Sequence, residues 1–117
     1  IHMEIKIVKD TISKEELEKI AENQFGDLVK AVVDVEKDIM AIGGDLHADE
    51  EALLLGQGSI QENLWGINLH IDKAEDEFIE FDSMINVRPS QNNKIRGIES
   101  LDTQRKIRDI VNKLIIK

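Results

Sequence analysis

The densest run of ligating side chains in this sequence is Asp45-Leu46-His47-Ala48-Asp49-Glu50-Glu51. On a helix, His47 and Glu51 stand four residues apart on one face, a separation two metal ligands can use, and Asp45 or Glu50 can add oxygen. The chemistry this would support is metal-dependent hydrolysis or nuclease action through His47, Asp49 and Glu51. It is not the metalloprotease helix motif, which needs a second His. The plainer role is favoured: an acid-rich first turn that complements the helix dipole, with His47 as a side cap.

A second constellation lies on two strand-like segments. If their apolar sets are aligned, Asn68 and His70 face Asp82 and Glu80 across the strands. A His70–Glu80 carboxylate–imidazole pair serves general-base chemistry when it sits in a cleft. On an open sheet face it is a cross-strand polar pair, and the absence of an adjacent nucleophile or oxyanion site in the sequence favours that reading.

The third is the crowded polar stretch around Asn86, Arg88, Gln91, Asn93 and Arg96. These side chains can offer donors to an anionic ligand, or satisfy the backbone of their own loop. Ser83 has no Gly-x-Ser-x-Gly context. Gly56-Gln57-Gly58-Ser59 has the shape of a short anion nest but lacks the Lys of a P-loop, so a plain turn is preferred. Asp34, Glu36 and Asp38 read as a solvated acidic turn. No catalytic residue is assigned. The expected ligand-binding set is Asn68, His70, Asp82, Asn86, Arg88, Gln91, Asn93 and Arg96, no cofactor is expected, and a divalent metal at His47, Asp49 and Glu51 is the alternative.

The elements that must position these groups follow from periodicity. Glu4–Val8 alternates as a short strand. Ser13 with Glu16 forms a capping box before the apolar stripe Leu17, Ile20, Ala21 and Phe25, which Gly26 ends. Leu28–Val35 and Ile39–Ile42 read as a hairpin about Glu36-Lys37, and Asp45–Leu55 as a helix. Ser59 with Glu62 suggests a second capping box. Trp65–Asp72 and Ile79–Val87 alternate cleanly and read as two strands joined by an acidic loop. Ser100 caps a last helix with Ile107, Ile110, Val111 and Leu114 inward. The order β-α-β-β-α-β-β-α gives an α+β fold, a mostly antiparallel sheet of about five strands with helices packed on one face.

At 117 residues the chain suits one domain, expected over residues 3–117, with Ile1 and His2 read as a cloning remnant before Met3. The absence of Cys excludes disulfides, thiolate metal sites and a cysteine nucleophile. With 18 Ile, three Phe and one Trp, the core must be aliphatic. Apolar runs stop at four or five residues, so a membrane-spanning helix is excluded. The net charge of −9 conceals a division: residues 1–87 hold seven basic and 21 acidic side chains, residues 88–117 eight and three. The favoured meaning is an acidic body attracting a basic C-terminal helix, its own or that of a second copy. A nucleic-acid contact through Arg88, Lys94, Arg96, Arg105, Lys106 and Arg108 is disfavoured by the overall field and the lack of interleaved aromatics.

The segments HADEEALLL (47–55), GS (58–59), QENLWGIN (61–68) and FDSMINVRPSQ (81–91) resemble the signature of a family of small prokaryotic proteins known as a domain of unknown function. The resemblance spans nearly the whole chain and implies a stand-alone cytoplasmic domain, with no activity, substrate or site residue to carry over. The expectation is therefore an interaction or small-ligand-binding module using the second hairpin and the Arg88–Arg96 loop, leaning away from an enzyme. Its partner classes are a second copy or another protein, with nucleic acid disfavoured and a membrane excluded. The alternatives are the metal-dependent hydrolase or nuclease and a nucleic-acid-associated regulator.

Overall fold

The computed structural model describes residues 4–116; the expected start at Met3 lies outside them. Strands β1 (Lys6–Val8) and β2 (Ile12–Ser13) precede helix α1 (Lys14–Glu22). Ser13 caps α1 as its spacing predicts, its Oγ accepting the Glu16 N–H at 3.1 Å. The Glu16 side chain does not return to the cap. It pairs with Lys6 at 2.5 Å instead. Phe25 lies beyond the helix end and is 42% exposed, so the apolar stripe stops at Ala21.

Strands β3 (Leu28–Asp34) and β4 (Ile39–Ile42) form the expected hairpin. Its turn is organised by Asp34, whose Oδ1 accepts the N–H groups of Glu36 and Lys37. Buried Asp34 also takes the Ser59 hydroxyl at 2.6 Å through Oδ2. Ser59 is therefore committed to the hairpin and caps nothing; the 3-10 turn Gln61–Asn63 starts from Ile60. The acidic turn and the glycine-flanked turn thus hold each other.

Helix α2 (His47–Gly56), strand β5 (Leu64–His70), the two-residue strand β6 (Ile79–Glu80), helix α3 (Leu101–Leu114) and strand β7 (Ile115–Ile116) complete the chain. The main sheet has five strands in the order β1-β4-β3-β5-β6, every neighbouring pair antiparallel. A separate parallel pair joins β2 to β7. The α+β class and the antiparallel sheet are as the periodicity predicts.

The helices divide between the two faces, a correction to the expectation of one. Val29, Ala31, Val33, Met40, Ile42, Ile67 and Leu69 point to the main core, which includes Leu17 and Ala21 of α1 and Ile107, Val111 and Leu114 of α3. The alternate residues Val32, Ala41 and Leu64 gather around Leu54 of α2. Because successive strand residues point to opposite faces, these two sets place α2 opposite α1 and α3.

The expected strand Ile79–Val87 is also corrected. After Glu80 the chain leaves the ladder and forms 3-10 turns at Met84–Asn86 and Pro89–Gln91. Phe81 packs against the main core and Ile85 against the α2 core. A strand would put both residues on one face, so the alternation was coincidental: the segment crosses the sheet edge. Among the described residues no helix is long and apolar enough to cross a membrane.

Candidate functional site

The α2 core covers only part of its sheet face. Beyond it, Lys30 of β3, Asn68 of β5 and Glu80 of β6 stand side by side in register. Direct pairing is Asn68 with Glu80, two residues from the expected alignment of Asn68 with Asp82, which keeps the same face. The expected His70–Glu80 contact nevertheless forms on the diagonal, with His70 Nε2 donating to Glu80 Oε1 at 3.0 Å. Asn68 Nδ2 donates to the same oxygen at 3.0 Å and to the Asp82 carbonyl at 3.2 Å. These bonds, His70 first and Asn68 second, hold the Glu80 carboxyl below its usual range.

The two acceptors facing Nδ2 fix the orientation of the Asn68 amide. Its Oδ1 is thereby turned away and is buried without a hydrogen-bond partner among the described residues. His47, the first residue of α2, comes down beside it. The imidazole donates from Nε2 to the Ile67 carbonyl at 2.8 Å, which places the neutral ring's lone pair on Nδ1. Burial, opposed by that bond, keeps His47 below the usual imidazole range, with Lys30 and Asp82 as charged neighbours. Asp82 closes the group by accepting from Arg96 Nε at 2.8 Å. His47, Asn68, His70 and Asp82 thus share one polar shelf with Lys30 and Glu80.

Asp49 and Glu51 do not gather with His47 into a three-ligand cluster among the described residues. Asp49 is exposed, and among the described residues no group of three or more His, Asp or Glu stands where it could hold a metal ion. The sheet-facing stripe of α2 is His47, Glu50 and Leu54. Glu50, which the sequence offers only as an extra oxygen for a metal, is instead a fully buried residue of that stripe. Its Oε2 accepts the Gly44 N–H at 2.9 Å, its Oε1 has no partner among the described residues, and burial pushes its carboxyl up to about 9. A side chain at Gly44 would meet it, since an added Cβ lies 2.8 Å from Glu50 Cγ. The i, i+3, i+7 spacing of His47, Glu50 and Leu54 was the available signal, masked by the neighbouring acids.

The Arg88–Arg96 loop has a different occupation. Asn86 is fully buried and bonds both backbone groups of Gly66. Asn93 Nδ2 donates to the carbonyls of Asn86, Ile95 and Gly97, and its Oδ1 accepts the Glu99 N–H. Arg88 stacks on Trp65 at 4.1 Å and donates to the carbonyls of Gln61 and Leu64. Gln91 donates to the Glu62 carbonyl. These side chains close the sheet edge where β6 stops. The basic segment is likewise spread out: Arg96 pairs with Asp82, Lys113 with Asp38 and Arg105 with Asp102.

A five-stranded antiparallel α+β domain with helices on both faces and a hydrogen-bonded polar shelf beside α2 defines the class of this protein. The chain belongs to the family described as protein of unknown function (DUF5674), matched over residues 6–114. No curated protein and no solved structure matches it.

Proposed function

We propose that the protein is a small-ligand-binding module whose shelf receives a ligand with a cationic, hydrogen-bond-donating head, an amine or amidine. The observation that carries this reading is the state of Glu80. Its Oε1 takes both the His70 and the Asn68 bonds, so the carboxylate is ionised and oriented. Its Oε2 has no protein partner among the described residues, and the side chain is 48% exposed. A fixed carboxylate oxygen facing solvent suits a charge-assisted bond from a ligand cation. The excess of acidic side chains in residues 1–87 would raise the local concentration of such ligands.

His47 supplies a neutral ring at the head of the shelf and Lys30 a boundary cation, which favours a compact head group over an extended polycation. The Arg88–Arg96 loop supports the shelf edge without contributing its donors, apart from Arg96 on Asp82. The lack of a nucleophile in the hydrogen-bonded row favours binding over turnover. The absence of Cys accords with a cytoplasmic setting.

Isotope-labelled protein titrated with methylammonium and with acetamidinium tests the reading. Saturable amide shifts at Asn68, His70 and Glu80, lost in Glu80→Gln, are expected. Shifts that are absent, or that survive in Glu80→Gln, would overturn it.

A further inference from the structure

We infer that the protein carries a second binding site, for a soluble phosphomonoester with a compact apolar body, in the cavity between α1, the β5–β6 connection and α3. The cavity holds about 370 Å³, within the span of roughly 300–1,000 Å³ typical of small-molecule sites. Lys14, Lys73 and Arg108 stand on its rim, with Asp76 the one acidic side chain among the described lining residues. Phe78 and Val111 are part of its apolar wall.

The charge balance of the lining sets the ligand class. None of Lys14, Lys73 and Arg108 has an ion-pair partner within 4.0 Å among the described side chains, and Asp76 on the same rim reaches none of them. The described lining thus carries three cations to one carboxylate in a protein of net charge −9. A doubly charged phosphate answers that arrangement better than a single carboxylate, and it could accept from Arg108 in bidentate fashion.

The three cations come from distant parts of the chain, and the fold holds their supports in place. Ser13 caps α1 and sets Lys14 at its first residue. The β2–β7 pair, Ile12 with Ile115 and Ser13 with Ile116, ties the start of α1 to the end of α3. The Arg108 guanidinium lies 5.0 Å over Phe81, which limits its swing. Phe78, Ile79 and Val111 form an apolar part of the lining, with Asn112 as a further polar group, so a compact and partly apolar ligand body suits it. The site lies on the other face from the shelf: along β6, Ile79 lines the cavity while Glu80 points to the opposite face, and Lys73 is the charged neighbour the two have in common.

The test is titration of isotope-labelled full-length protein with phenyl phosphate, inorganic phosphate and benzyl alcohol. Saturable shifts at the amides of Lys14, Lys73 and Arg108 are expected with phenyl phosphate, with inorganic phosphate and benzyl alcohol each binding about tenfold or more weakly because each lacks half of the recognition. Lys73→Gln combined with Arg108→Gln should weaken phenyl phosphate about tenfold or more, and added salt should weaken it too. No saturable shift at these amides in the wild-type protein would overturn the proposal. So would equal binding of benzyl alcohol, or undiminished affinity in the double variant. The wild-type titrations decide the matter even if the variant fails to fold, and the shelf reading, probed by amines at Glu80, stands or falls separately.

Discussion

Asn86 and Gly66 bond to each other as two strands do. The Gly66 N–H donates to Asn86 Oδ1 at 2.8 Å, and Asn86 Nδ2 donates back to the Gly66 carbonyl at 2.9 Å. A side-chain amide has the same donor–acceptor spacing as a peptide, so one Asn completes the ladder of β5 beyond the last residue of β6. It also donates to the Arg96 carbonyl, tying the loop to the edge it covers.

Asn86→Ala therefore strands the two buried backbone groups of Gly66, while the Arg96 carbonyl keeps the Ser83 N–H. At about 1–3 kcal/mol for each buried polar group left unpaired, a loss of about 2 kcal/mol or more is expected, measurable by urea denaturation. Asn86→Asp should also destabilise, because it removes the donor to both carbonyls and buries a charge. Stability within about 0.5 kcal/mol of wild type for either variant would show that the loop repacks around the loss.

Gly66 has a second constraint. A Cβ added there would lie 2.6 Å from Ser83 Cβ and 2.7 Å from its hydroxyl oxygen. Gly66→Ala should cost about 1–3 kcal/mol by overpacking. If the cause is this contact, Ser83→Gly in the same chain recovers part of the loss, whereas simple additivity of the two variants would exclude it.

The sequence revealed what is local and concealed what is not. Ser13 and Ser100 cap their helices because a cap spans three residues, and Trp65–Leu69 forms a strand because alternation is written in adjacent positions. Ser59 looked like a cap too, but its partner is Asp34, 25 residues away. Phe81 and Ile85 had strand spacing yet pack on opposite faces, a fact that depends on where the sheet edge lies. The His70–Glu80 contact was legible from pairing alone. The approach of His47 to Asn68 was not, since it depends on α2 crossing to the second face. The polar loop looked like a recognition surface because Asn and Arg serve a ligand and a backbone through the same donors.

Glu50 makes stability fall with rising pH. Its folded-state value near 9 is above the ordinary 4.5, so below 4.5 both states are protonated and it costs nothing. Between 4.5 and about 9 only the unfolded state releases the proton, at a limiting slope of about 1.4 kcal/mol per pH unit. Glu50→Gln keeps an acceptor for the Gly44 N–H and removes that slope. Its stability relative to wild type, followed by thermal melts from pH 4 to 9, should rise steadily; a constant offset would mean Glu50 is not protonated in the folded state.

His47 acts in the opposite direction. Its folded-state value lies below 6.5 because burial disfavours the imidazolium. Above 6.5 both states are neutral and the ring costs nothing; as pH falls through 6.5 the unfolded chain takes the proton first and stability declines. His47→Gln retains a donor for the Ile67 carbonyl without the titration. The acid limb of the stability profile should flatten in this variant, and an unchanged limb would locate the acid sensitivity elsewhere.

Arg88 and Trp65 provide an optical test of the closed edge. The guanidinium stacks 4.1 Å from the ring centroid while its two terminal nitrogens hold the Gln61 and Leu64 carbonyls. Burial moves the Arg88 pKa below the usual guanidinium range, so the group is partly desolvated where it sits. Trp65 is the single tryptophan and only 6% exposed, so the emission reports the surroundings of this one ring, the main core on one side and Arg88 on the other. Arg88→Ala should shift the emission to longer wavelength by admitting water and cost about 2 kcal/mol through the lost stacking and carbonyl bonds. Arg88→Lys keeps the charge but not the planar fork, so it should fall nearer to Ala than to wild type. A lysine variant with wild-type emission and stability would mean that charge alone, rather than the fork and the stack, holds the Gln61–Leu64 segment against the sheet.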